Sequence, residues 1–83
     1  MDTLELDNEL NNEGIHPSLY AIGKIIDNRH IILADGGIWK VFFEEKGMRT
    51  FEKEFKTEDK ACRYFLKVVL DSWKSIKKPK IIF

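Results

Sequence analysis

GGIWKVFFEEKGMRTFEKEFKTEDKACRYFLKVVL, residues 36–70, is the stretch whose reading decides the fold. With the acid before it, it opens on Asp35-Gly36-Gly37, a hairpin signal, because the primed turn that joins twisted strands needs a positive φ that glycine adopts without steric cost. A strand follows from Ile38 to Glu45, with Trp39, Val41 and Phe43 on the face expected to meet the core. Ile38, Lys40, Phe42 and Glu44 fall on the other, since successive side chains alternate. Lys46-Gly47 makes the next turn. A further strand, Met48 to Phe55, alternates Arg49, Phe51, Lys53 and Phe55 against Thr50, Glu52 and Glu54. Thr57 then caps a long helix whose first turn holds Glu58 and Asp59, where the helix dipole favours negative charge. Ala61, Tyr64, Phe65, Val68, Val69 and Trp73, widened by Cys62, Leu66 and Leu70, form an apolar stripe that must lie on the sheet.

Working outward, residues 29–34 and 19–26 read as two earlier strands, separated by the turn residues Asp27-Asn28. Pro17 fixes its own φ and pushes His16 out of the helical region, so residues 15–18 form a rigid connector. Before it, Asp2 or Thr3 caps a helix running to Asn12, with Leu4, Leu6 and Leu10 apolar and Gly14 as terminator. Pro79 stops the long helix within a basic tail, 77–83, and leaves residues 80–83 either to pair as an edge strand or to stay free. The expected fold is therefore α+β: an N-terminal helix, a four-stranded antiparallel meander and a long C-terminal helix packed on the sheet. One domain, 1–83, contains all of it.

Composition excludes several classes. The chain has 83 residues, 43% hydrophobic, 12% aromatic and 34% charged. That is too apolar for disorder and too charged for a membrane span. No apolar run approaches the roughly 18 residues that cross a bilayer, and the acidic opening lacks the order of a signal peptide. A cytoplasmic address is expected, and a single cysteine, Cys62, agrees with a reducing compartment. Zero net charge hides an asymmetry: residues 1–45 carry nine acids against three bases, residues 46–83 five against eleven. Folding either interleaves the halves as solvated charge or presents an acidic face to a basic partner.

Catalytic constellations are missing from the sequence. His16, His30 and Cys62 share no spacing that would assemble a zinc or nucleophilic site, and no His-x-x-x-His, Cys-x-x-Cys or Gly-x-Ser-x-Gly pattern occurs. Cys62 borders the helix stripe and reads as a buried structural thiol. Gly36 and Gly37 lack the following helix of a phosphate loop. The expectation is no enzymatic activity, no metal, no cofactor and no small-molecule substrate. Glu44, Glu45, Glu52, Glu54, Glu58 and Asp59 cluster in sequence around the last two strands, and alternation turns Glu44, Glu52 and Glu54 outward, with Phe42 on the same face. That aromatic is either covered by the first helix or serves as an interface anchor.

Three blocks carry a resemblance: Gly14-Ile15-x-Pro17-x-Leu19-Tyr20-x-Ile22, then Gly37-x-Trp39-x-Val41-x-Phe43-x-Glu45-x-Gly47-x-Arg49, then Phe55-x-x-Glu58-x-x-Ala61-Cys62-x-Tyr64-Phe65-Leu66. Over residues 9–70 the chain resembles small α+β immunity proteins of bacterial polymorphic toxin and contact-dependent growth inhibition systems. The likeness implies a protein without activity of its own that binds the C-terminal domain of one cognate toxin, often a nuclease, in the cytoplasm. A nuclease presents basic groups to phosphates, so an acidic inhibitor can occupy the same field. Asp35, Glu44, Glu45, Glu52 and Glu54 are the candidate contacts, with Phe42 as anchor. The competing expectation is a small nucleic-acid-binding domain of double-stranded-RNA-binding topology, with Lys74, Lys77, Lys78 and Lys80 for phosphate. Against it, Thr57-Glu58-Asp59 places acids where that class needs lysines. A third possibility is an enzyme whose site, drawing on His16 or His30, forms only in an oligomer.

Overall fold

Paired left-handed residues build both hairpins of this sheet. Gly36 and Gly37 sit at φ 61 and 82, and Lys46 and Gly47 at φ 51 and 78, the backbone of a primed two-residue turn. In the computed structural model, which describes residues 1–77, they join β2 (Arg29–Asp35) to β3 (Ile38–Glu45) and β3 to β4 (Met48–Phe55). Upstream lie α1 (Thr3–Asn12), a single 3-10 turn at Pro17–Leu19 and β1 (Tyr20–Ile22); downstream is α2 (Glu58–Lys77). The expected stop at Pro79 and the tail beyond Lys77 lie outside the described residues.

The sheet has the order β1-β2-β3-β4 but is mixed. β2, β3 and β4 pair antiparallel as expected. β1 does not: it runs parallel to β2, with Tyr20 opposite His30 and Ile22 opposite Ile32, so the antiparallel meander is corrected at its first strand. The chain turns back twice between them, at Gly23 (φ 78) and Asn28 (φ 61), where a single reversal at Asp27-Asn28 had been expected. A parallel crossover ordinarily takes a dozen or more residues. Here residues 23–28 suffice, because a three-residue strand advances only about 10 Å. Three bonds pin the crossover: Gly23 N–H donates to the Ile32 carbonyl at 2.8 Å, Asn28 N–H to that of Glu44 at 2.7 Å, and Lys46 N–H to Asp27 Oδ1 at 2.6 Å.

Both helices pack on one face. Leu6, Leu10 and Ile15 join Tyr20, Ile32, Val41 and the α2 residues Ala61, Cys62, Phe65 and Val69 in the main core, with Trp39, Phe55, Tyr64 and Trp73 around it. Each fully buried side chain of this kind contributes about 1.5–3 kcal/mol relative to exposure. The caps agree with the sequence: Asp2 Oδ1 accepts from Glu5 N–H at 2.8 Å, and Thr57 Oγ1 from Lys60 N–H at 3.3 Å. Glu58 does a second job, its Oε2 accepting from Thr3 N–H at 2.9 Å, so the start of α2 holds the start of α1. Leu4, expected on the apolar side of α1, is 70% exposed. A smaller core of Ala21, Ile31 and Phe42, with Ile26 and Leu33, lies on the opposite face beneath the crossover.

Candidate functional site

The face of the sheet turned away from the helices is set by cross-strand register. Arg29 opposes Glu44, Ile31 opposes Phe42, Leu33 opposes Lys40 and Asp35 opposes Ile38, and such partners share a face. On the next ladder Lys40 opposes Glu54 and Glu44 opposes Arg49. Asp35, Glu44 and Glu54 therefore come together as expected, and Glu52 joins them through its ion pair with Arg49 at 3.6 Å. Glu45 does not: it opposes Met48 on the other face, at the end of β3. Bases interleave the acids throughout. Lys40 Nζ lies 3.2 Å from Asp35 and 3.9 Å from Glu54. Glu44, only 8% exposed, stands in register between Arg29 and Arg49. The face is thus an alternating charge lattice and not a purely acidic patch, with Arg29 and Arg49 added to the Lys40 that alternation places there.

Phe42 requires a correction. It is 1% exposed, covered by Ile26 of the crossover and by the Arg49 guanidinium, 4.2 Å above its ring centroid. α1, the cover in the other of the two expected alternatives, lies on the other side of the sheet. Phe42 is the apolar floor of this face and no anchor reaching out of it.

The register slips by one residue between Val41 and Phe43: Val41 opposes Lys53, while Phe43 opposes Thr50. Phe51 and Glu52 thus stand opposite Phe42 alone, a β-bulge. Regular alternation put Arg49 with Lys53 and away from Glu52 and Glu54; the bulge moves it to the acids. Phe51, at the bulge, has φ 56 and is 85% exposed. A left-handed backbone costs a bulky L-residue about 1–2 kcal/mol, and no local burial offsets it. An apolar hollow of about 180 Å³ adjoins it, lined by His30, Val41, Phe42, Phe43, Phe51, Tyr64 and Val68. Sequence reading passed over Phe51 because the bulge leaves the aromatic spacing of Phe51 and Phe55 looking like a regular strand.

Elsewhere the chemistry is quiet. Among the described residues no three His, Cys, Asp or Glu side chains converge as a metal site would need, and no helix is long and apolar enough to cross a membrane. Burial pushes the Cys62 thiol up to about 11, consistent with its structural reading. His30 Nε2 lies 2.9 Å from Ser72 Oγ, and its ring meets Phe43 edge-on at 5.0 Å. α1 carries Glu5, Asp7 and Glu9, with Asp2 and Glu13 at its ends, and no lysine or arginine precedes Lys24. It borders an open groove of about 630 Å³ with Pro17, Tyr20 and Arg29. Compared with family models, curated proteins and solved structures, the chain matches none.

Proposed function

We propose that this chain is an immunity protein of a bacterial toxin system, binding the C-terminal domain of one cognate toxin, a nuclease, and blocking it in the cytoplasm. The sequence resemblance motivates the reading. The observation that carries it is the helix-free sheet face, where Asp35, Glu52 and Glu54 are exposed in fixed relation to Lys40 and Arg49 over an apolar floor. Charges already held in register lose little side-chain freedom on docking, and an alternating pattern selects a partner by complementarity. The acids of α1 add a field that attracts a basic domain.

Co-expression with the toxin domain encoded by the neighbouring gene tests this reading. Growth is expected to be protected and the two proteins to co-purify. Reversing Asp35, Glu52 and Glu54 to Lys is expected to weaken the complex by roughly tenfold or more. Unchanged neutralisation would move the interface off this face, and failure to bind or neutralise any such toxin would end the proposal. The nucleic-acid alternative has one observation in its favour: Lys60, Arg63, Lys67 and Lys74 are exposed along α2 at spacings that share a helix side. Salt-dependent retardation of RNA or DNA in a gel would support it.

A further inference from the structure

β4 is the long open edge of the sheet. It lies at the end of the strand order, and among the described residues no strand pairs with its outer side. Residues 48–54 are all exposed, including Met48 at 67%. Proteins ordinarily blunt such an edge with charge, proline or a bulge that twists it away. This bulge does the reverse: it presents Phe51, an apolar ring in a backbone conformation that favours glycine, beside an apolar hollow.

We infer that the β4 edge pairs antiparallel with β4 of a second copy of this chain, across a two-fold axis at the Phe51 bulge. The strand is self-complementary. In such a pair Arg49 of each copy meets Glu54 of the other, Thr50 meets Lys53, and Met48 meets Phe55. Continuing a sheet requires that opposed residues share a face. In a regular strand Arg49 and Glu54, five apart, point to opposite faces and this register would be forbidden. The bulge removes that conflict: through their partners on β3, Arg49 and Glu54 share the helix-free face, while Met48, Thr50, Lys53 and Phe55 share the other. Two Arg–Glu pairs and two Met–Phe pairs result, with no like charges opposed among them. The axis passes between residues 51 and 52, so Phe51 of each copy stands opposite Glu52 of the other, and the two Phe51 rings flank the axis next to the hollow beside Tyr64 and Val68. An isologous interface needs this kind of self-matching patch.

The test is sedimentation of the full chain between about 10 and 500 µM, a range suited to a small interface. The wild type is expected to shift towards twice the monomer mass as concentration rises. Arg49→Glu alone and Glu54→Arg alone each oppose like charges at two positions and are expected to weaken association by roughly tenfold or more. Mixing these two variants restores opposite charges at every such position, so a mixed dimer is expected to return. Phe51→Gly is expected to be monomeric yet at least as resistant to urea as wild type, which separates loss of the interface from loss of the fold. A wild type that stays monomeric throughout overturns the inference. So does a dimer indifferent to both charge variants, or a mixture that fails to associate.

Discussion

His30 links a single side chain to the stability of the molecule. Its imidazole sits half-buried between β2 and α2, near Ser72 and Phe43, and burial lowers its pKa below the ordinary 6.5. The unfolded chain therefore takes up a proton at a higher pH than the folded one, so this residue's contribution to stability is intact above about 6.5 and is lost as pH falls through the folded value. Urea midpoints at pH 7.5 and pH 5.0 are expected to show lower stability at pH 5.0 in the wild type, and a smaller drop in His30→Gln. Residues of this scale were unevenly legible. Cys62 and Phe65 announced their burial by helical spacing, and Glu44, Glu52 and Glu54 their outward face by alternation. Arg49 and Phe42 did not, because their surroundings come from a bulge and a crossover that local pattern does not encode.

Among the elements, both hairpins and both helices were legible from turn and capping chemistry, with the first strand as the exception. Residues 19–26 have the β-rich apolar composition of a strand, and Gly23 looks like an interior weakness in it. In the structure Gly23 is the corner, at φ 78, where the strand ends and the crossover begins. A Cβ added there meets nothing within 4 Å, so its cost is conformational and not steric. Gly23→Ala is expected to lower stability by about 1–2 kcal/mol, read as a reduced urea midpoint with an unchanged slope. The bulge was illegible for a different reason. β3 and β4 each span eight residues, and one slipped pairing between equal strands leaves no trace in either sequence.

At the scale of the whole molecule, the main core joins α1, α2 and the sheet through one cluster in which Phe65 is fully buried. A domain of this size has about 4–12 kcal/mol of net stability. Phe65→Ala removes about 3–5 kcal/mol of it, so a fall in thermal midpoint of at least about 15 °C is expected by calorimetry. The charge asymmetry of the sequence survives partly in space: α1 is an acidic helix with no basic residue, whereas bases interleave the acids of the sheet. The crossover gives the architecture a further property. Long insertions in surface connections usually cost little, because closure entropy rises slowly with length. Residues 23–28 are a connection and also the roof over Ala21, Ile31 and Phe42. Extra residues there would lift Ile26 and admit water onto that apolar floor, so a segment resembling a dispensable loop is as constrained in length as any strand.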